Sequence, residues 1–444
     1  MKSLLSLVDK HKQLIDDAYS FIWKNPETGY KEFKTSKYLE DKFIEFGYDI
    51  VRAENIPGFY TTLDTGKPGP TVLILGELDS VICPSHPECD KTTGAVHACG
   101  HGAQCAALLG IAATLKEPHA LDSLSGKIKL CAVPAEELLE VDYRMRLKKD
   151  GIIKYLGGKS EFLYRGYFDD VDMAFMIHTT SLDYNTCRQG SVGFITKNII
   201  YKGLAAHAGG SPGLGRNALY AANCGLNACN ALRETFEEND IIRFHPIVTS
   251  GGSIVNAIPE RCTIETYVRA KTFEAMEKAN KRLNQALIGG ALSLDCNVEI
   301  VDIPGYAPLI NDQNMIELAK DAIGQALPNE KFIYNDSYGS GSTDMGDISC
   351  IMPVVHPYVM GATGKGHGND YYVYDVEKAC VNSAKWQLAM LYLLLKDGAE
   401  RANKILKEFV PAFKNKEEFF DLCDKLYRDG DRISYTELGA NVKL

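Results

Sequence analysis

Long hydrophobic runs are absent from this sequence. No apolar segment approaches the ~20 residues that a membrane-spanning helix needs, so we expect no membrane partner. Basic residues are not in excess either, because the chain has 58 acidic and only 48 basic side chains and a formal net charge of −10. An acidic chain without a basic cluster matches neither nucleic acid nor an anionic membrane. We therefore exclude nucleic acid as a partner as well.

Paired CxxC spacing is also missing, although the chain contains 13 cysteines. An odd number of irregularly spaced cysteines argues against a disulfide framework and favours reduced thiols. The segment MKSLLSLVDKHK meets charged residues after a short apolar run and has no small-residue cleavage site, so it does not resemble a signal peptide. Both observations predict a cytoplasmic protein.

Three strongly apolar segments end in carboxylates or a histidine. They are TVLILGELD (71–79), KIKLCAVPAEE (127–137) and VDMAFMIHTT (171–180). Continuous apolar runs are typical of strands that are buried on both faces in an α/β sheet. Because ligands of such sheets bind outside the carboxyl ends of the strands, we expect a functional site there.

The middle of the chain follows a different order of elements. Residues 191–303 alternate as β-α-β-β-α-β, which is a complete ferredoxin-like unit. Helical and strand patterns resume after Pro304. We predict one α/β catalytic domain in two parts, residues 1–188 and 306–444, interrupted by a smaller inserted domain at 189–305.

Two short motifs contain side chains that are able to bind metal or transfer protons. HACGH places Cys99 and His101 with one residue between them before a predicted helix, and thiolate and imidazole are good ligands for first-row metals. PAEE places Glu136 and Glu137 at the end of a buried strand, where uncompensated carboxylates would repel each other. One carboxylate can hold a metal while the other moves a proton, although acidic residues also favour the first turn of a helix. Neither motif is decisive alone.

Two more histidines extend this set. His178 lies near the end of the third apolar segment, where a single histidine is more often structural than catalytic. His367 lies in the glycine-rich loop GATGKGHGND. Lys365 in that loop is not followed by Ser or Thr, so we exclude a phosphate-binding loop.

Together these segments resemble those of the metal-dependent amidohydrolase and carboxypeptidase superfamily, peptidase family M20. The similarity is greatest to the branch of indole-acetyl-amino-acid hydrolases, aminobenzoyl-glutamate hydrolases and β-alanyl-lysine type dipeptidases. The motifs that carry it are, in order, NPETGYKEFKTSKYL, GELDS, HACGHG, PAEE, IHTT, KGLAAHAG, GGSIVNAIPERCTIETYVRA, GSTDMGD and GHGNDYYVYD. The resemblance implies a zinc-aminopeptidase-like open-sheet catalytic domain of the α/β class. It also implies an inserted ferredoxin-like lid and dimerisation domain, hence a homodimer.

For the site, the resemblance implies two divalent metal ions, with zinc or manganese expected before cobalt or nickel. Their protein ligands would be Cys99, His101, Glu137, His178 and His367. Glu136 would be the base that takes a proton from the attacking water. His97 matches the motif but is not a ligand in the family, so we expect it to be a packing residue or a support for the ligands.

Other matched positions would surround this centre. Asp79 and Asp344 resemble residues that support the ligands. His207 resembles the lid histidine that stabilises the tetrahedral oxyanion, usually in the partner subunit's active site. Asn256 and Arg269 match positions that contact the carboxylate or oxyanion of the substrate, and arginine suits bidentate capture of a carboxylate. Arg269 could instead form only a surface salt bridge.

Departures from the family concern Gly102, where relatives often have Asp or Asn, and Gln104, where some have His; many also read DALP where this chain reads DSVICP. All five ligands and the base are present.

We therefore predict a metal-dependent hydrolase of amide bonds in N-acyl amino acids, aminobenzoyl-glutamate-like conjugates or small dipeptides. One alternative is a non-hydrolytic metal- or ligand-binding protein that kept the fold. Another is a thiol redox protein, which would need Cys105 as the resolving partner of Cys99.

Overall fold

The computed structural model describes residues 1–444, which form two compact units. The first unit contains Met1–Gly190, Leu309–Tyr338 and Thr343–Lys416. The second unit contains Ser191–Pro308, Gly339–Ser342 and Glu417–Leu444. This division differs from the predicted one within 306–444, because Gly339–Ser342 and Glu417–Leu444 belong to the second unit.

Helices account for much of both units. In chain order they are α1 (Lys2–Lys10), α2 (Lys12–Trp23), α3 (Phe33–Glu45), α4 (His101–Leu115), α5 (Val141–Lys149), α6 (Gly158–Tyr164), α7 (Ala218–Ala231), α8 (Phe273–Leu292), α9 (Gln313–Ala326), α10 (Met345–Ser349), α11 (Ser383–Leu395), α12 (Glu400–Glu408) and α13 (Lys416–Leu426). None of them combines the length and the apolar character that crossing a membrane requires.

The strands are mostly short. In chain order they are β1 (Val51–Arg52), β2 (Phe59–Asp64), β3 (Thr71–Glu77), β4 (Val81–Ile82), β5 (Ala95–Val96), β6 (Lys127–Val133), β7 (Met173–Phe175), β8 (His178–Thr180), β9 (Asn185–Ser191), β10 (Gly193–Lys202), β11 (Arg243–Phe244), β12 (Ile247–Ser250), β13 (Arg261–Ala270), β14 (Asn297–Pro304), β15 (Leu309–Ile310), β16 (Phe332–Gly339), β17 (Val354–Val355), β18 (Tyr358–Met360), β19 (Ala362–Thr363), β20 (Tyr372–Val373), β21 (Ile433–Thr436) and β22 (Gly439–Val442).

The main sheet of the first unit has the strand order β1-β2-β6-β3-β7-β17. Its centre is parallel, because β3 pairs in parallel with β6 and β7, and β7 with β17. Every residue of β3 is buried, as expected for a strand that is covered on both faces. Helix α4 packs against β3, and all residues of α4 are buried as well. This buried framework fixes the ends of the strands that carry the candidate site.

The third apolar segment does not form one strand. Strand β7 belongs to the main sheet, whereas β8 pairs in parallel with β18 in a separate sheet. The change follows from the backbone hydrogen bonds: Met176 N–H donates to the Val355 carbonyl (3.4 Å), and His178 N–H donates to the Pro357 carbonyl (3.0 Å). As a result, His178 begins a strand instead of ending one.

The second unit is built on one antiparallel sheet with the order β11-β13-β10-β14, to which β12 is added beside β13. Along the chain its elements follow as β10, α7, β11 and β12, β13, α8 and β14. Helices α7 and α8 pack against each other and share a buried core with the sheet. This unit therefore has a core of its own.

The C-terminal segment covers the outer edge of β14. Arg428 and Asp302 exchange backbone hydrogen bonds of 3.0 and 2.8 Å, and Arg432 N–H donates to the Val298 carbonyl (2.9 Å). An uncovered edge strand would leave its N–H and C=O groups unpaired. This pairing is the reason why Glu417–Leu444 belongs to the second unit.

Candidate active site

The carboxyl ends of the central strands bring several acidic residues close to the start of α4. Strand β3 ends at Glu77 and is followed closely by Asp79, whereas β6 is followed by Glu136 and Glu137. His101 is the first residue of α4. This edge of a parallel sheet is the place where ligands of α/β folds bind.

Three side chains of the types that bind metal ions, here called the first group, lie close together: Cys99, His101 and His178. Their ligand atoms all lie within 4.8 Å of one another, and Cys99 Sγ is 3.4 Å from His178 Nε2. The other ring nitrogen of His178 donates a hydrogen bond to the Thr179 carbonyl (2.8 Å). Nε2 is therefore the nitrogen that is available to an ion beside the thiol.

A second group consists of Cys99, Glu137 and His367, whose ligand atoms also lie within 4.8 Å of one another. Nε2 of His367 is 2.9 Å from Glu137 Oε1. Cys99 is common to both groups. The structure thus brings together all five side chains that were predicted as ligands, in two groups that meet at one sulfur.

The turn between Cys99 and His101 requires glycine. Gly100 has a φ of +102°, a conformation that residues with a side chain rarely adopt. A Cβ atom at this position would also collide with the hydroxyl groups of Thr179 and Tyr371. Glycine is therefore what allows the two ligands to approach the same site from neighbouring positions.

His101 is oriented by Asp79 and leaves one nitrogen for a metal ion. Its Nδ1 donates to the carbonyl of Asp79 (2.9 Å), while Nε2 is buried without a hydrogen-bond partner. Glu77 Oε2 lies 3.1 Å from Nε2 but outside hydrogen-bonding geometry. Asp79 Oδ2 also accepts a hydrogen bond from the backbone N–H of Glu137 (2.8 Å). A buried nitrogen without a partner, next to a thiol and carboxylates, fits a bound metal ion.

Glu136 lies beside the first group. Its Oε2 is 3.8 Å from His101 Nε2, and the residue is almost completely buried. Burial, together with the nearby charges of Glu77 and Glu137, raises the pKa of Glu136 well above its ordinary value. A carboxyl group in this environment is suited to take up a proton and return it.

The pKa values of Cys99 and Glu137 are shifted toward the forms in which these two residues bind metal. Burial and Glu137 oppose ionisation of the Cys99 thiol, but His101 and His178 outweigh them and lower the pKa of Cys99 to about 6. Burial also opposes ionisation of Glu137, but its hydrogen bond with His367 lowers the pKa of Glu137 to about 2. Thiolate and carboxylate are the forms that bind divalent metals.

A buried lysine compensates the acidic residues of this region, and the sequence analysis did not identify it. Lys159 Nζ is 2.5 Å from Glu77 Oε1 and forms a second ion pair with Asp344. Gln104 Nε2 donates to Glu77 Oε2 (2.8 Å). All four side chains are no more than 2% exposed. Asp344 is thus linked to this region through its ion pair with Lys159. The only feature of the sequence that points to a buried cation such as Lys159 is the pair of acidic residues in GELD, at the end of a buried strand.

The remaining predicted residues, His207, Asn256 and Arg269, lie in the second unit. Nδ1 of His207 accepts hydrogen bonds from the backbone N–H groups of Gly209 (3.2 Å) and Gly210 (2.8 Å). The ring proton of a neutral His207 is therefore on Nε2. Asn256 is exposed.

Arg269 has aromatic neighbours rather than an acidic one. Its guanidinium lies over the rings of Phe194 and Tyr267, at 5.5 and 5.6 Å from their centroids. It donates to the Ser340 carbonyl and the Ser342 hydroxyl (both 3.2 Å), while its Nε is buried without a partner. Burial lowers the pKa of Arg269. These bonds go to serines and not to a carboxylate, so the surface salt bridge considered above is not what the structure contains.

Two residues near the centre take no part in either ligand group. His97 is buried, both of its ring nitrogens lack hydrogen-bond partners, and burial lowers its pKa to about 3. The thiol of Cys105 is buried and donates to the Glu77 carbonyl (2.9 Å), and burial raises its pKa. A thiol in that state is a poor resolving cysteine, so the geometry does not favour the redox alternative.

The chain matches the family model described as Peptidase family M20/M25/M40 over residues 73–392. It therefore belongs to this family. Within it, the chain is a metal-dependent amidohydrolase.

Individual relatives are similar over most of the chain. The chain is 28% identical to the Xaa-Arg dipeptidase of Mus musculus over 396 residues, which are 84% of this chain and 80% of that protein. It is 28% identical to the N-acetyl-L-cysteine deacetylase of Bacillus subtilis (strain 168) over 341 residues, 72% of this chain and 74% of that protein. Among solved structures, a dinuclear metal-binding M20 peptidase of Bacillus subtilis matches 89% of this chain and 99% of its own, with a TM-score of 0.66 at 17% identity. At that identity the likeness shows the fold.

Proposed function

We propose that this protein hydrolyses the amide bond of N-acyl amino acids, aminobenzoyl-glutamate-like conjugates or small dipeptides. The observation that carries the proposal is that two ligand groups meet at Cys99 with Glu136 beside them. The names of relatives, among them a dipeptidase, an aminobenzoyl-glutamate hydrolase and an N-acetyl-L-cysteine deacetylase, refer to the same three kinds of substrate. The 13 cysteines, all of them free thiols, suit the reducing cytoplasm as the place of this activity.

Two divalent ions would be held by the five predicted ligands, one ion in each group, with Cys99 common to both. A thiolate, imidazoles and a carboxylate suit zinc, and manganese, cobalt or nickel are compatible with the same donors. When bound, such ions lower the pKa of water and polarise an amide carbonyl.

The two glutamates of the PAEE motif would have different roles, Glu137 as a metal ligand and Glu136 as the base. Glu137 is engaged by His367 through its carboxylate and by Asp79 through its backbone, which suits a ligand. Glu136 lies next to His101 and would take a proton from the attacking water and give it to the leaving amine. Adjacent carboxyl groups in different environments are able to serve these different roles.

The second unit would act as a ferredoxin-like lid over the substrate. The proton on Nε2 of His207 is suited to donate to the oxyanion of the tetrahedral intermediate. The guanidinium of Arg269, which bonds to serines and not to an acid, is suited to the carboxylate of the substrate. Asn256, which is exposed, would add a hydrogen bond to the same groups.

A homodimer through the second unit is part of this proposal. All residues of β12 are exposed, including the apolar Ile247 and Val248, and the strand pairs only with β13. An exposed edge strand with apolar side chains offers its backbone to a second copy. The edge at β14 is covered by the C-terminal segment, so the opposite edge, formed by β11 and β12, is left for pairing, and β12 is the part of it that is exposed at every residue.

A substrate panel tests the proposal. The purified protein would be assayed on N-acyl amino acids, aminobenzoyl-glutamate and dipeptides, including Xaa-Arg, before and after treatment with a chelator and after return of zinc, manganese, cobalt or nickel. We expect chelation to abolish release of the free amino acid and one or more of the ions to restore it. Full activity with both ions removed would contradict the mechanism. Metal binding without turnover of any substrate would favour the non-hydrolytic binding protein.

A further inference from the structure

The second group contains the most exposed of the proposed ligands. The His367 side chain is 54% exposed, whereas the other ligands are buried or half-buried. His367 has a φ of +63°, which few residues other than glycine adopt, and glycines stand on both sides of it. The imidazole is thus placed by its loop, residues 364–371 between β19 and β20, and not by packing of the ring. The His367 N–H anchors the middle of the loop by donating to the Ala98 carbonyl (2.8 Å), and the end of the loop has an anchor of its own.

Tyr371 is the buried anchor at the end of the loop. It is 3% exposed, and its hydroxyl oxygen is 2.8 Å from the hydroxyl oxygen of Thr179. The carbonyl of Thr179 accepts the hydrogen bond from Nδ1 of His178. Tyr371 therefore lies in the loop of a ligand from the second group and touches the strand of a ligand from the first.

The backbone of Tyr371 is held in turn by a second buried residue, His86. His86 has no exposed surface, and its Nδ1 accepts a hydrogen bond from the Glu88 N–H (3.1 Å). Its Nε2 is therefore the donor, and it bonds to the Tyr371 carbonyl (3.0 Å). The ring also contacts those of Trp23 and Tyr372 at centroid distances of 6.0 and 5.0 Å. His86 lies two positions after DSVICP, the segment that departs from the family pattern.

From these contacts we propose that Tyr371 is a positioning residue for the metal centre, and that His86 holds it in place. The Tyr371–Thr179 hydrogen bond fixes the loop of His367 against β8 and so closes the second group around its ion. The inference rests on the proposed ligand set. It goes beyond that set because neither residue is a ligand, and it predicts that the two ions respond differently to the same substitution.

The test is a metal titration of the full-length protein after removal of its ions by a chelator. Zinc and cobalt would be added in separate experiments, with bound metal measured after gel filtration and affinity measured by competition with a coloured chelator. For Tyr371→Phe we expect the second ion to bind ~10–100-fold more weakly, the usual effect of losing a residue that supports a ligand. The first ion should bind as in the wild type. Tyr372→Phe is the matched control, because this neighbouring tyrosine touches Trp23 and His86 but not Thr179, and both ions should bind normally.

Further variants separate positioning from general damage to the fold. Thr179→Val removes the other half of the same hydrogen bond, together with a longer contact of the Thr179 hydroxyl with the Cys99 carbonyl (3.5 Å), so the double variant with Tyr371→Phe should be no worse than Thr179→Val alone. His86→Leu should weaken the second ion, while His86→Gln, which keeps an N–H donor, should restore much of the loss. Thermal unfolding of the metal-free proteins identifies any variant that fails to fold. The metal affinities of the folded variants then test the positioning role.

The outcomes distinguish this inference from the function on which it rests. A wild type that binds two ions, together with folded Tyr371→Phe and His86→Leu proteins that bind both with unchanged affinity, would overturn the inference and leave the proposed function intact. Equal weakening of both ions would also overturn it. A wild type that binds no ion would contradict the ligand set itself.

Discussion

At the scale of single residues, Glu136 and Glu137 are neighbours in the chain, but we expect their substitution to affect different properties, turnover for Glu136 and metal content for Glu137. Glu136→Gln keeps the shape of the side chain but cannot accept a proton, so kcat should fall by ~10²–10⁴ while metal content stays near that of the wild type. Glu137→Gln should lose metal first, because its carboxylate contacts His367 in the second group. Turnover and metal content would be measured on the same preparations. Normal turnover by Glu136→Gln would mean that another group takes the proton.

Lys159 illustrates a residue that matters for stability without touching a ligand in either group. Lys159→Met would leave the carboxylates of Glu77 and Asp344 buried without their cation. Removing one charged side chain from a buried ion-pair cluster typically lowers the free energy of unfolding by ~3–5 kcal/mol. Denaturant unfolding measures the loss. Lys37→Met, which removes an exposed pair with Asp41, is the control and should change little. Equal effects of the two substitutions would show that the buried cluster is not important for stability.

At the scale of elements, the turn into α4 depends on Gly100. Gly100→Ala would impose a side chain on a φ of +102° and press it against Thr179 and Tyr371. We expect the free energy of unfolding to fall by ~1–3 kcal/mol, the cost of one strained backbone position, and metal content to fall with it. Gly324→Ala is the control, because that glycine is exposed in α9 with open space around it. The control should be more stable by ~0.5–1 kcal/mol. A Gly100→Ala protein as stable and as metal-loaded as the wild type would contradict the account of this turn.

Elements with a local pattern could be predicted from the sequence, and those that depend on a distant partner could not. The continuous apolar run of β3 and the motif around Cys99 are visible in a few consecutive residues. The break between β7 and β8 arises because Met176 and His178 bond to residues near 356, which a short window of sequence does not contain. The pairing of Lys159 with Asp344 joins side chains 185 positions apart. The same limit applies to the C-terminal segment, whose strand β21 is mostly exposed and carries no apolar alternation.

At the scale of the whole molecule, the residues of the proposed chemistry are divided between the two units. All five proposed ligands and Glu136 lie in the first unit, whereas His207, Asn256 and Arg269 lie in the second. Substitutions in the second unit should therefore leave metal content unchanged while lowering turnover. His207→Ala is the sharpest case, since it removes the proposed donor to the oxyanion and no ligand. Loss of metal in this variant would mean that the division of roles is wrong.

Sharing of His207 between two chains would make the dimer itself part of the active site. A His207→Ala chain keeps its own Glu136, and a Glu136→Gln chain keeps its own His207. If each site takes its histidine from the other protomer, a mixed dimer contains one site with both groups intact, although each parent dimer contains none. We therefore expect the two inactive proteins to regain activity when they are mixed, after brief denaturation and refolding to exchange protomers. Size-exclusion chromatography with light scattering would establish that dimers are present. As a control, each single variant is mixed with a Glu136→Gln/His207→Ala chain, and these mixtures should regain no activity. A mixture that forms dimers but stays as inactive as its parents would show that each protomer supplies its own histidine.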